Sequence, residues 1–184
     1  MPTREEAWAL LNQYNKTDSL IKHALSVEGV MRHFAKKYGE DEEKWGVIGL
    51  IHDLDYEMYP EEHCKKTEEI LTANNWPKDY IRAVLSHGYG LVNDVEPIEI
   101  VEKVLYTIDE LTGLITAAAY MRPSKSVNDM EVKSVIKKFK SPAFAAGVDR
   151  EVILKGCDLL GMDIKDVVEE CILGMRAIAP SIGM

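Results

Sequence analysis

The sequence predicts an all-α protein, arranged as a bundle of helices in a single domain. Apolar residues recur at spacings of three and four along most of the chain, as on the buried face of an amphipathic helix. β-branched residues follow the same spacing and nowhere alternate with polar residues as in a strand. A chain of 184 residues can bury one full-sized core, so we expect residues 1–184 to form one domain.

The N-terminal half contains five predicted helices. Thr3 and Glu6 form a capping-box pattern that opens the first, Asp18 can cap the second, and Gly39 ends it. Pro77 opens the fifth, which stops at a glycine-containing exit. The predicted helices are 3–14, 18–38, 41–53, 61–74 and 77–87.

The C-terminal half begins with a long predicted helix, opened by Pro97 and ended by Pro123. Three shorter helices follow, of which the second starts at Asp149 as a cap. These shorter helices are expected at about 127–139, 149–160 and 164–179. We therefore expect a core at about 18–118 and a helical extension at about 122–184.

Charge and composition restrict the partners and the location. The formal net charge is −9, and an acidic surface repels phosphate backbones, so we expect no polymeric nucleic acid as a partner. The longest apolar run, Leu111 to Met121, is too short to cross a bilayer, and no signal peptide is visible. Three scattered cysteines, Cys64, Cys157 and Cys171, fit a reducing compartment. We therefore expect a cytoplasmic protein without membrane contact.

Histidines and aspartates on apolar helices predict a metal site. The carboxylate of Asp109 falls on the apolar stripe of the long helix, where an unpaired charge would cost several kcal/mol. Imidazole and carboxylate ligands together suit one or two divalent ions of Mn, Fe, Co, Ni or Zn. His63, near a predicted helix N-terminus, is expected to stay neutral and able to bind metal. The other candidate ligands are His23, His52, Asp53 and His87.

Each of these residues also has an ordinary interpretation. A single histidine on an apolar face is more often a hydrogen-bonded core residue than a ligand, and a His-Asp pair occurs by chance in many chains. The metal hypothesis therefore depends on the combination. His33 serves as an internal comparison, because it lies about 80° around the helix from His23 and is not expected to bind metal.

The order His23, His52-Asp53 and Asp109 resembles the HD superfamily of metal-dependent phosphohydrolases. The segments HALSVEGVMRHFA, WGVIGLIHDLDYE and LYTIDELTGLI are similar to the family's motif helices. The resemblance covers about 18–118 and implies that these four residues hold one metal. The segments HCKKTEEIL and AVLSHG are similar to those that bind a second metal in the HDIG subgroup, which maps that role onto His63 and His87. Leu54 and Asp55 depart from that subgroup's Ile-Gly pair.

The resemblance implies hydrolysis of a small phosphate ester, with a nucleotide among the candidates. Asp53 could bridge two ions or orient water, and Asp55 and Glu57 could act as a general base or as partners of the ligands. Solvent-facing loop charges are an equal alternative for Asp55 and Glu57. Without a second ion, His87 would bind phosphate oxygens. The other function hypotheses are a di-iron oxygenase and a non-catalytic module that senses a nucleotide through bound metal.

A basic segment after the long helix offers another candidate phosphate ligand, Lys125. It belongs to a run of cations that continues to Lys140. If the helix is straight, Arg122 lies about 20 Å along its axis from Asp109, at about 1.5 Å per residue. Lys125 could therefore reach the phosphate only if the chain folds back over the site, and we expect a solvated face instead.

Overall fold

The computed structural model describes residues 1–184 and confirms the all-α fold class. It contains no strand; the one isolated bridge pairs Tyr89 with Asn93. The helices are α1 (Arg4–Tyr14), α2 (Asp18–Tyr38), α3 (Glu42–Leu50), α4 (Lys65–Ala73), α5 (Lys78–Leu85), α6 (Ile100–Tyr120), α7 (Val132–Phe139), α8 (Arg150–Leu160) and α9 (Ile164–Ala177). Short 3₁₀ turns cover Pro60–Glu62, Ser86–Gly88 and Ala179–Ile182.

Local capping accounts for many of the helix ends. Thr3 and Glu6 form the predicted capping box, and the side chains of Asp41 and Asp149 accept hydrogen bonds from the first turns of α3 and α8. Gly39 ends α2 in the left-handed conformation, with φ of 72°. Asp18 is not the cap of α2: Thr17 occupies that position and makes no side-chain cap bond.

Two helices of 21 residues, α2 and α6, form the centre of the bundle. The surrounding helices pack against them: α3 and α9 against α2, and α8 against α6. A β-carbon at Gly156 of α8 would lie 2.2 Å from the Oγ1 atom of Thr107, so glycine permits this close approach to α6. The C-terminal helices therefore share a buried core with the N-terminal ones.

Two segments near the histidines differ from the predicted helices. Helix α3 ends at Leu50, so the His52-Asp53 pair lies in the turn that follows instead of in the helix. The segment predicted as the start of α4 is a 3₁₀ turn, and α4 itself begins at Lys65 because Cys64, with φ of 68°, interrupts the helical backbone. Both ligand-bearing segments are thus turns between helices. No helix of the structure combines the length and apolarity that crossing a membrane requires.

Candidate metal centre

Five separate segments bring the histidines and aspartates together. His23 lies on α2 and Asp109 on α6, and the two helices pack against each other. The turn after α3 carries the His52-Asp53 pair, and His87 lies in the 3₁₀ turn after α5. His63 precedes α4. These residues, except buried His52, line a cavity of about 370 Å³.

His23, His52, Asp53 and Asp109 form what we call the first cluster; their ligand atoms lie within 4.8 Å of one another. The Nε2 atoms of His23 and His52 are 3.2 Å apart, and Asp109 Oδ1 lies 2.9 and 3.2 Å from them respectively. Asp53 Oδ2 lies 3.3 Å from His52 Nε2 and 3.7 Å from His23 Nε2. Atoms that each lie about 2.1 Å from one ion are separated by about 3.0–3.5 Å. The first cluster therefore has the spacing of a metal site.

His63, Cys64 and His87 form the second cluster. The Nε2 atoms of its two histidines are 3.1 Å apart, and the Sγ atom of Cys64 lies 4.0 Å from His87 Nε2. Asp53 Oδ1 lies 3.5 Å from His63 Nε2 and 3.3 Å from His87 Nε2. One carboxylate thus directs Oδ2 toward the first cluster and Oδ1 toward the second.

Hydrogen bonds on the far side of the rings orient three of the histidines. The Nδ1 atom of His52 donates to the carbonyl of Gly49 at 2.8 Å, and that of His87 donates to the carbonyl of Val84 at 2.5 Å. The third ring, His63, pairs through Nδ1 with Asp55 at 2.8 Å. Such partners fix the ring and direct Nε2 toward a metal. All three Nε2 atoms accordingly face the clusters.

Asp55 is fully buried and does not line the cavity. Besides the bond to His63, its Oδ2 atom accepts a hydrogen bond from the backbone N–H of Thr67 at 2.8 Å. This carboxylate therefore fastens the ring of His63 to the first turns of α4. Its position is that of a ligand's partner, and it is too enclosed to meet a substrate.

The surroundings of two histidines in the centre raise their pKa values. Burial opposes the charged form of His52, but the carboxylates of Asp53 and Asp109 outweigh it and raise the pKa of His52 to about 10. Burial opposes the charged form of His63 as well, but hydrogen bonds to Asp55 and Cys64 raise the pKa of His63 to about 9. The sequence predicted that a helix N-terminus keeps His63 neutral, but its pairing with the carboxylate of Asp55 shifts the pKa the other way. The centre is thus built to hold positive charge.

Glu57 and Lys125 were candidates from the sequence, and neither lies in the cavity. The carboxylate of Glu57 accepts hydrogen bonds from the backbone N–H groups of Lys16 and Thr17, at 2.8 and 3.0 Å. It therefore pairs with free N–H groups just before α2. Lys125 is exposed in the loop beyond α6. No lysine or arginine of the basic segment lines the cavity, although the chain folds back so that α7 packs against α6.

His33 lies outside both clusters, on the side of α2 that faces α9. Its Nε2 atom is 2.5 Å from Oε2 of Glu170, and Lys37 pairs with Oε1 of the same carboxylate. The helical phase relative to His23 had predicted a histidine away from the metal site. The structure places His33 at the contact between α2 and α9.

Two residues of the centre were not among the site residues predicted from the sequence. Cys64 is buried in the second cluster; burial raises the pKa of its thiol, but His87 and His63 outweigh that effect and lower it to about 7. Glu110 lines the cavity, and its Oε2 atom accepts a hydrogen bond from the backbone N–H of Asp149 at 3.0 Å. Burial and the charge of Asp109 raise the pKa of Glu110 to about 7. Their only signal in the sequence was adjacency to His63 and Asp109.

Comparison with known proteins identifies the family and agrees with the all-α fold. The HD domain family model matches residues 20–114, which is more than half of the chain. The chain belongs to the HD domain family, a family of generally metal-dependent hydrolases that bind divalent ions. The resemblance to the HD superfamily is confirmed. No curated protein and no solved structure matches the chain.

Proposed function

We propose that the protein is a metal-dependent phosphohydrolase that acts on a small phosphate ester. The observation that carries this proposal is the position of Asp53, whose two carboxylate oxygens face two different groups of ligands. A carboxylate placed in this way can bridge two ions, and paired ions suit the displacement of one oxygen by another at phosphorus.

The first cluster would hold one ion. A second ion would be held by His63, His87 and the Oδ1 atom of Asp53. Bound ions would supply a polarised phosphoryl oxygen and an activated water. The chain's own groups would position these ions through their ligands: Asp55 orients the ring of His63, and the carbonyl groups of Gly49 and Val84 orient the rings of His52 and His87.

Glu110 is the cavity-lining carboxyl group outside the two clusters. Its neighbour Asp109 belongs to the first cluster, so Glu110 lies beside the place where the phosphoryl group would bind. We assign it the exchange of a proton with the leaving oxygen, whereas the sequence predicted Asp55 and Glu57 as a general base or as partners of the ligands. Those two carboxylates are instead engaged with His63 and with the start of α2.

The test is phosphate release by protein loaded separately with Mn²⁺, Fe²⁺, Co²⁺, Ni²⁺ or Zn²⁺. We expect release with at least one of these ions, loss of release in Asp109→Asn, and no loss in His33→Ala. Glu110→Gln should lower kcat with little effect on metal content. An iron-loaded protein that consumes oxygen and releases no phosphate would instead support the di-iron oxygenase hypothesis. Nucleotide binding without turnover would support a sensing module.

A further inference from the structure

Resting on the proposed phosphohydrolase function, we propose that the substrate is a monophosphate ester of an apolar alcohol, with an alkyl or aryl group. The part of the cavity beyond the two clusters is an apolar wall that no lysine or arginine lines. We define this wall by its members, which are Leu20, Leu91, Val92, Tyr106, Val148 and Val152.

The apolar wall is assembled from several elements of the fold. Leu20 and Tyr106 stand one turn before His23 and Asp109 on the two central helices. The segment after the second 3₁₀ turn adds Leu91, and the first turn of α8 adds Val152. Because this apolar surface comes from four segments, it is not the buried face of one amphipathic helix. It is a feature of the cavity that these segments form together.

Part of the wall is exposed to water, although its side chains are large and apolar. Leu91 is 53 % exposed and Val92 is 52 % exposed; Tyr56, at the same cavity, is 47 % exposed. Clustered exposed apolar side chains at a cavity are typical of a ligand-binding site, because the ligand removes them from water. A hydrocarbon or aryl group is the kind of ligand that gains from this contact.

The charges of the cavity disfavour a substrate with several phosphates. Its charged lining groups, apart from the histidines, are the carboxylates Asp53, Asp109 and Glu110. Two nearby cations are engaged elsewhere: Arg150 donates to backbone carbonyl groups such as that of Phe139, and Lys155 lies 4.3 Å from the centre of the Tyr89 ring. Ions in the clusters would balance one phosphate, whereas further phosphates would meet the apolar wall without a partner.

The wall also offers few hydrogen bonds to a sugar. No Asn, Gln, Ser or Thr lines the cavity. Apart from Glu110 and the residues of the two clusters, the side-chain hydrogen-bond donors of the lining are the hydroxyl groups of Tyr56 and Tyr106. Sites that select hydroxylated substrates place hydrogen-bonding groups opposite each hydroxyl, because an unpaired buried polar group is costly. A ribose or hexose phosphate would find few hydrogen-bonding partners for its hydroxyls here.

Two glycines leave space for a hydrocarbon chain. A β-carbon at Gly113 or at Gly147 would meet no heavy atom within 4 Å, so both face open space at the cavity. The volume of about 370 Å³ lies within the range of roughly 300–1,000 Å³ found for small-molecule sites. In the reaction, the oxygen of water bonds to phosphorus, the ester P–O bond breaks, and the alcohol leaves with a proton. The products are inorganic phosphate and the apolar alcohol.

Binding of unreactive phosphonates tests the wall without requiring turnover. Methylphosphonate and hexylphosphonate share a head group and differ in five methylene groups, each worth up to about 0.8 kcal/mol when buried. Calorimetry on the metal-loaded protein should show hexylphosphonate binding at least roughly tenfold more tightly. Equal affinities, no binding of either, or tighter binding of ribose 5-phosphate or ATP would overturn the proposal.

A matched pair of variants tests whether the apolar wall causes the preference for hexylphosphonate. Leu91→Lys places a cation on the wall, and we expect it to reduce the preference for hexylphosphonate several-fold and to strengthen ATP binding. Ile98→Lys changes a residue that is 60 % exposed and does not line the cavity, so the preference should stay as in wild type. A preference that survives Leu91→Lys unchanged would contradict the assignment of this residue to the wall and overturn that part of the proposal.

Comparing the hydrolysis of hexyl phosphate with that of ribose 5-phosphate separates the proposed phosphohydrolase function from the proposed substrate class. Faster release of phosphate from hexyl phosphate supports both the function and the substrate class. If hexylphosphonate binds selectively but no ester releases phosphate, the phosphohydrolase function is wrong and the apolar ligand class stands. If both esters are hydrolysed equally well and the phosphonates bind equally, the phosphohydrolase function stands and the substrate class is wrong.

Discussion

The two ligand clusters meet at one carboxylate but are built differently. In the first cluster, His23 and Asp109 lie within helices of 21 residues that pack together in the core, and only the His52-Asp53 pair lies in a turn. In the second, His63 and Cys64 lie in a turn and His87 in a 3₁₀ turn. Long packed helices fix side-chain positions through many contacts, whereas turns depend on a few hydrogen bonds. We therefore expect the first cluster to bind its ion more tightly.

The largest effect should come from Asp53→Asn, because Asp53 is shared by both clusters. Asparagine keeps the shape but replaces one oxygen with an NH₂ group and removes the charge. Loss of a ligand's orienting partner already costs about 10–100-fold in metal affinity, so losing the shared ligand should cost more at both clusters. Elemental analysis after dialysis should find well under one ion per chain. Retention of the wild-type metal content would show that Asp53 does not bridge the clusters.

The difference between the clusters is tested by comparing Asp109→Asn with His63→Ala. Asp109 has histidines as its close partners and no lysine or arginine, so its removal should chiefly abolish the first ion. A ligand at about 100 times its dissociation constant stabilises the folded state by about 2.7 kcal/mol. We expect Asp109→Asn to lose most of the metal-dependent rise in melting temperature and His63→Ala to keep most of it. Equal losses would mean that the clusters bind as one unit.

A pH series should separate the metal-free protein from the loaded one. The pKa values of His52 and His63 are raised to about 10 and about 9, above an unfolded value of about 6.5. Their contribution to stability is fully present below about pH 6.5 and is lost as the pH rises toward 9 and 10. Metal binding requires the neutral rings and therefore strengthens with pH.

Melting curves with and without chelator at pH 6 and pH 9 measure this effect. We expect the stability gap between the loaded and metal-free proteins to widen with pH, by about 1.4 kcal/mol per pH unit for each proton displaced. A gap that narrows as the pH rises would show that protons and metal do not compete for these rings.

The smallest effect is expected from His33→Ala, the control on the same helix as His23. The variant removes the contact of His33 with Glu170, while Lys37 continues to pair with that carboxylate. Partly exposed pairs of this kind contribute about 0–1 kcal/mol, so the melting temperature should fall slightly. Metal content and phosphate release should match wild type. Metal loss equal to that of His23→Ala would show that the ligands on α2 are assigned wrongly.

Several features of the fold could be predicted because they depend on neighbours in the chain. The apolar spacing of α2 and α6, the Thr3 capping box and the Gly39 stop are all local patterns, and the structure contains each of them. The candidate ligands were recognisable because buried imidazole and carboxylate groups on apolar helices need a cation. Residue type and helical phase were sufficient to select His23 and to set aside His33.

The direction of side chains in the turns could not be predicted in this way. Glu57 turns toward the start of α2 because unpaired N–H groups of Lys16 and Thr17 lie there, a contact across about 40 positions of the chain. The turn after α3 is held by Asn15, whose amide donates to the carbonyl of Leu54 at 3.0 Å. Such long-range bonds decide which loop carboxylate meets the site.

From the sequence alone, the all-α class, most of the helices and the types of residue that could bind metal are predictable, because these follow from local periodicity and from the cost of burying charge. Tertiary packing alone turns Asp53 toward both clusters, places Cys64 in the second cluster and Glu110 at the cavity, and lets α8 complete the apolar wall. These features require residues far apart in sequence to meet, and their meeting depends on how α2, α6 and α8 pack.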